Sequence, residues 1–399
     1  MAFSLGKSSD ALKRVNKRIG QSRGSFRRKV NIPVLAAAVC LVAYGAFIIW
    51  TASLTISSAS FSRHLLGIGL GTILAIFCWR TDFRGLTNVT TVLMVLDILV
   101  IFLPYVPGLS YSAKGMTGWI QIPLIKLTFQ PVELAKIITV FMIAAYGASY
   151  NGRIDTVKNY IKLCAMLAVP FCCIVVAGDL GSGLVVFVSG AIIIMMSGPR
   201  KEWVLSTIAI LIGLVALLLA GDSLVDSIVG RDVLIKDYQM KRLLVFLDPS
   251  SDTSGSGYNL LQSMIAVGSG GFFGKGVGNA TQSGSGFLPE AHTDFIFALT
   301  SEEFGFVGDT VLLLLFALLI IGTIRVAYGS DSLFLRLVAV GIVGIWTFQV
   351  LENVGMCIGL MPITGIPLPF ISFGSSSMLM QLANVGIVQS VWRHRSKAV

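Results

Sequence analysis

"VLLLLFALLIIGTI", residues 311–324, carries no charged side chain. In hydrocarbon, such a run satisfies its backbone hydrogen bonds internally only as a helix. Working outward, breakers and charges bound an apolar span at about 294–327. Nine more spans read the same way, at about 32–56, 63–80, 86–106, 131–149, 161–178, 182–198, 203–221, 335–356 and 372–392. Their lengths match the ~17–25 residues that cross a hydrocarbon core roughly 30 Å thick. The 399-residue chain is 55% hydrophobic and only 13% charged, about half the charge of a soluble domain. A soluble enzyme is excluded, and the lack of short alternating strands excludes a membrane β-barrel. The expected fold is an all-α polytopic membrane protein with ten transmembrane helices.

An even number of spans puts both termini on one side, and positive charge chooses the side. With the N-terminus cytoplasmic, 21 of the 30 Lys/Arg fall in the N-tail, the inner loops and the C-tail. The basic tail 1–31 and the short tail 393–399 then flank a membrane domain over 32–392. The tail is too basic and too long for a cleaved signal peptide, so the first span is read as a signal anchor. The net charge of +10 reports membrane orientation and attraction to anionic lipid, not nucleic-acid binding. Six cysteines at 40, 78, 164, 172, 173 and 357 lie in or beside apolar runs and read as packing residues, with no disulfide and no metal site.

Three outer segments break the pattern. Residues 107–130 are one, and "MPITGIPLPFISFGSSS", 361–377, is another, with three prolines that cannot continue a helix. The third is a large extracytoplasmic loop, 221–293, between the seventh and eighth spans. Its aromatic and apolar content ("YNLLQSMIAV") points to a folded, partly membrane-dipping element.

Ionisable residues inside spans are costly and are functional candidates by default. In "FQPVELAKI", Pro131 suits a helix start, and Glu133 and Lys136 share a face three residues apart. They are a self-neutralising pair, or a lysine facing an anionic ligand. Asp179 in "AGDLGSGL" is turn chemistry or a site residue. Asp97 is isolated, and His64 and His394 flank helix ends, where no chemistry is assigned to them. "FLPEAHTDFIFAL", 287–299, gathers Glu290, His292 and Asp294 before the eighth span. A helix from Pro289 puts Glu290 and Asp294 on one face; a cap at Thr293 puts Asp294 in the first turn. Asp294 is then a dipole-compensating carboxylate or a general base.

The segment 238–308, "YQMKRLLVFLDPSSDTSGSGYNLLQSMIAVGSGGFFGKGVGNATQSGSGFLPEAHTDFIFALTSEEFGFVG", resembles the signature of the SEDS (shape, elongation, division and sporulation) family. "GWIQIPLIKLTFQPVELAK", "GDLGSG" and "NVGMCIGLMPITGIPLPFISFGSSS" resemble that family's other outer segments, in order. Gly118, Val132 and Ala177-Gly178 depart from its usual residues. The pattern "GSGY…QS…GKG…TQ" leans to the elongation branch over the division branch.

The resemblance implies a peptidoglycan glycosyltransferase that polymerises lipid II by β-1,4 bonds on the outer face of the bacterial cytoplasmic membrane. It implies Asp294 as the catalytic carboxylate and Arg242 as the first candidate for the leaving pyrophosphate. Lys136 with Glu133, then Lys275, are further candidates, and Trp119 either stacks on a sugar or belongs to the interfacial belt. Glu290, His292, Glu303 and Asp179 are supporting residues. No ligand set demands a metal, although a divalent cation (Mg2+ or Mn2+) suits a pyrophosphate. The implied partner is a class B penicillin-binding protein, a transpeptidase. The rivals are a flippase for the same lipid, a division-specific polymerase and a non-catalytic scaffold.

Overall fold

The computed structural model describes residues 29–108, 110–113, 116–122, 127–229, 245–249, 252 and 255–395. The chain is mostly helical. Among the described residues, six helices are long and apolar enough to cross a membrane: α1 (Ile32–Thr55), α2 (Phe61–Arg80), α4 (Pro131–Ala148), α5 (Val157–Val176), α9 (Ile296–Tyr328) and α10 (Leu333–Cys357). The other helices are α3 (Thr90–Phe102), α6 (Leu180–Met196), α7 (Lys201–Val229), α8 (Ser256–Ser269) and α11 (Ser375–Arg393).

Local chemistry sets several starts. Asn31 caps α1 by accepting from the Val34 amide at 3.1 Å, and Asp179 caps α6 through Ser182 N–H at 2.9 Å. Both use a short polar side chain to satisfy an orphan donor. In α4, 83% of the membrane-length window is buried, against 22% in α2. So α4 and α10 form the interior, and α1, α2, α5 and α9 meet lipid. The tightest seam joins α2 to α11. A Cβ at Gly71 would lie 2.7 Å from Leu382 Cδ1, and one at Gly386 would lie 2.3 Å from the Ala75 carbonyl. Gly67, Gly71 and Ala75 repeat every fourth residue, the small-residue stripe that lets membrane helices approach closely.

Two expectations are corrected. The fold is not all-α: β1 (Ser110–Ala113), β2 (Met116–Ile122) and β3 (Leu127–Phe129) form an antiparallel sheet before α4. Strands of 3–7 residues hydrogen-bond to neighbours a few residues away, which hydropathy does not register. The loop beginning at 221 is also shorter than expected, because α7 continues to Val229. Within it, "YNLLQSMIAV" lies in α8, whose buried Gly257, Leu260, Ser263 and Ala266 repeat at helical spacing.

Candidate active site around Asp294

Asp294 does not lie in a helix. The chain turns at Glu290, whose φ is +57°, and the Glu290 carbonyl accepts from the amides of Thr293, Asp294 and Phe295 at 3.1, 3.1 and 3.2 Å. Only then does α9 begin, at Ile296. Neither helical expectation for Asp294 holds.

Three successive carbonyls are pinned from elsewhere. Phe373 N–H donates to His292 O at 2.9 Å, Ser372 Oγ to Thr293 O at 2.7 Å, and Asn353 Nδ2 to Asp294 O at 2.7 Å. Asn353 Nδ2 also donates to Ile366 O at 2.8 Å, tying α10, the 361–374 segment and the Asp294 turn together. Non-helical backbone at a buried site needs such partners for its carbonyls. The carboxylate itself rests against bare backbone: a Cβ at Gly365 (φ +76°) would come within 3.3 Å of Asp294 Oδ2. Asp294 remains partly exposed.

Its neighbours extend the cluster. Thr293 Oγ1 donates to Glu290 Oε2 at 2.7 Å. The buried His292 ring lies 5.5 Å from the Phe373 ring. His64, fully buried, also stacks on Phe373, with ring centroids 6.4 Å apart. His64 was expected at an interface; it is enclosed because Ser375, at the start of α11, packs over α2 and donates to Arg63 O. A polar cleft of about 360 Å³ adjoins this face, lined by Thr55, Ser57, Ser58, Ser283, Glu290 and His292 among others.

The other non-helical segments connect to this region too. Thr364 Oγ1 donates to Glu352 Oε1, and a Cβ at Gly181 would lie 3.2 Å from the Thr364 carbonyl. Asp179 accepts from Gln130 Nε2 at 3.2 Å, and Gln130 N–H donates to Ser376 Oγ at 3.1 Å. The 361–376 segment therefore links the Asp294 turn to the stretches around Gln130 and Asp179.

The remaining predicted residues are placed as follows. Glu133 and Lys136 form an ion pair at 2.7 Å, about 3–4% exposed, so each is the other's partner. Trp119 sits on β2 opposite Tyr111. Arg242 lies outside the described residues. Lys275 is engaged by Glu302 at 2.6 Å and Thr281 Oγ1 at 2.7 Å, a partner that its reading as a pyrophosphate ligand did not include. Glu303 accepts from Thr51 Oγ1 at 2.7 Å and Gly278 N–H at 3.0 Å.

Glu302, which sequence reading missed, is fully buried and accepts from Lys275 and from the amides of Thr281, Gln282 and Ser283 at 2.6–3.0 Å. Just beyond it α9 kinks at Gly305 (φ +63°). The groups freed by the kink pair with the glycine-rich loop: Lys275 and Gly276 N–H donate to the carbonyls of Glu302 and Glu303, and Phe306 and Val307 N–H donate to Gly271 and Phe272. The glycines of "GSGGFFGKGVG" thus hold a broken helix together.

Fold and site define a class: a polytopic helical membrane protein with a partly exposed carboxylate on a pinned non-helical turn. The model of the FtsW/RodA/SpoVE cell cycle protein family matches residues 32–397, and the chain belongs to that family. Stage V sporulation protein E of Bacillus subtilis is 33% identical over 368 residues, covering 92% of this chain and 96% of that protein. Peptidoglycan glycosyltransferase MrdB of Escherichia coli K12 is 33% identical over 376 residues, covering 94% and 97%. A solved chain described as coordinating polymerization and crosslinking in a peptidoglycan synthase complex matches with a TM-score of 0.72 and 28% identity, over 91% of this chain and 98% of that one.

Proposed function

We infer that this chain is a peptidoglycan glycosyltransferase that joins lipid II disaccharides by β-1,4 bonds and releases polyprenyl pyrophosphate. Family membership across residues 32–397 supports the activity, together with MrdB, a relative of that name. The fixing of the Asp294 turn by α10 and the 361–374 segment, with Asp294 left partly exposed, is the observation that carries the site.

In the proposed mechanism Asp294 is the general base. A sugar hydroxyl is a weak nucleophile, so the carboxylate takes the proton of the acceptor's 4-hydroxyl as that oxygen attacks C1 of the donor's MurNAc. The C1–O bond to pyrophosphate breaks in the same step, and inversion of an α-linked donor gives the β bond without a covalent enzyme intermediate. Partial exposure lets substrate reach the carboxylate, and pinned backbone keeps it from following the substrate away. The leaving pyrophosphate needs cationic stabilisation. Arg242 suits direct bidentate contact, while Lys136 is a weaker candidate because Glu133 already neutralises it. A divalent cation is compatible with the pyrophosphate.

The proposed topology has ten spans with both termini cytoplasmic and Asp294 at the outer face. It draws on the helices that occupy all ten apolar runs and on the basic residues that flank their assigned inner ends. A class B penicillin-binding protein is the proposed partner, supported by the likeness to a chain from a synthase complex. The role proposed is cell-wall elongation and shape, RodA-like in the family's terms. Purified chain supplied with lipid II, alone and with such a transpeptidase, should form glycan polymer. Transfer of lipid II across vesicles with no polymer in either preparation would favour the flippase reading instead.

A further inference from the structure

A groove of about 510 Å³ runs along the lipid-facing seam of α1, α2 and α11. Val39 and Ala43 of α1, Leu65 and Ile76 of α2, and Leu382 and Val385 of α11 line it. Of its few polar groups, Gln389 is consumed by Asn31, with Asn31 N–H donating to Gln389 Oε1 at 2.7 Å and Gln389 Nε2 to Asn31 O at 2.9 Å. The wall is therefore apolar and asks for hydrocarbon.

One end of the groove is different. Trp79 Nε1 donates to Lys29 O at 3.1 Å, and the Arg393 guanidinium lies 5.4 Å from the centre of the Trp79 ring. Arg80 and Lys29 are exposed beside them, and Arg27 and Arg28 precede Lys29 in sequence. Three basic residues thus come together at Trp79 at the mouth of an apolar channel, Lys29 through its carbonyl, Arg80 as its neighbour in the chain and Arg393 through its guanidinium, and no carboxylate lies among the residues lining the channel. Trp and basic side chains at a helix end mark the headgroup level of a bilayer.

We propose that this groove is a binding site for one anionic glycerophospholipid, its acyl chain along α1, α2 and α11 and its phosphate at Lys29, Arg80 and Arg393. Size and charge select this occupant. A transmembrane helix of 20 residues, about 30 Å long and about 10 Å across, fills on the order of 2,000 Å³, far more than the groove holds. A neutral lipid would leave the cations unmatched. The inference uses only the membrane placement of the helices and is independent of glycan chemistry.

The test is native mass spectrometry of the delipidated full chain titrated with phosphatidylglycerol, phosphatidylcholine of the same acyl chains, or a polyprenyl phosphate. One phosphatidylglycerol should be retained, at least tenfold more tightly than phosphatidylcholine. Arg80→Gln and Arg393→Gln should each weaken it about fivefold, the share of one basic residue at an anionic lipid surface, with phosphatidylcholine unaffected. Ala43→Phe should remove both lipids by filling the groove while thermal unfolding stays that of the parent. Equal retention of the two phospholipids, an adduct that survives Ala43→Phe, or displacement by polyprenyl phosphate at lower concentration would each overturn the proposal. Polymer formation from lipid II, measured on the same samples, reports separately on the catalytic reading.

Discussion

Asp294 and Glu302 lie eight residues apart, both carboxylates in the segment leading into and along α9, yet the protein treats them oppositely. Glu302 is fully buried, and its oxygens accept from an ammonium and three consecutive backbone amides. Asp294 is held by its backbone, through Asn353 on its carbonyl and Glu290 on its amide, while its side chain lies against Gly365 and stays partly exposed. A carboxylate wrapped in donors is a structural anchor. One on a partly exposed residue whose main chain is fixed is placed where a substrate can reach it. The distinction lies in burial and in how the backbone is fixed, and residue type alone does not carry it.

Substitutions can break that comparison or sharpen it. The largest stability effect is expected at Glu302. Glu302→Gln leaves Lys275 and a row of amides facing a neutral group, which should cost about 3–5 kcal/mol, the range for breaking a buried ion pair. Thermal unfolding in detergent measures it, and an unchanged midpoint would remove the anchor role. Asn353→Ala strips the donor from one buried and one part-buried carbonyl and should cost about 1–3 kcal/mol. Because it also frees the Asp294 turn, kcat for polymerisation should fall with little change in KM.

Gly305→Ala forces a side chain into a left-handed conformation, costing about 1–2 kcal/mol, and pushes its Cβ towards Gly274 N, 2.3 Å away. The same melts should show a loss at least that large. Thr51→Val removes one hydroxyl from Glu303 and should cost only about 1 kcal/mol, with activity near normal. A collapse of polymerisation in Thr51→Val at unchanged stability would move Glu303 from support into the reaction.

What the sequence disclosed divides along a physical line. Apolar runs were legible because burial in lipid is a property of each residue, and helices occupy all ten of them. Helix α8 was legible as a folded element for the same reason. The sheet at 110–129 was not, since its strands are short and their partners are backbone atoms. Glu302 escaped notice because its donors are main-chain amides about twenty residues upstream, which no side-chain pattern encodes. Asn353 carried a faint signal, an amide in an otherwise apolar helix, whose partners only the closure of α10 on the 361–374 segment reveals. His64 looked peripheral because its position at a helix end is local, whereas its enclosure by Phe373 and Ser375 comes from residues over three hundred positions away.

Asp294→Asn keeps the size and the place beside Gly365, and removes the negative charge and with it the capacity to take a proton. The decisive measurement is the rate at which purified wild type and Asp294→Asn convert lipid II into glycan polymer, on preparations matched for thermal unfolding. A general base is worth about a hundredfold to ten-thousandfold in rate, so the variant should lose at least a hundredfold while melting as the wild type does. Polymer formed at the wild-type rate by a well-folded Asn variant would contradict the account.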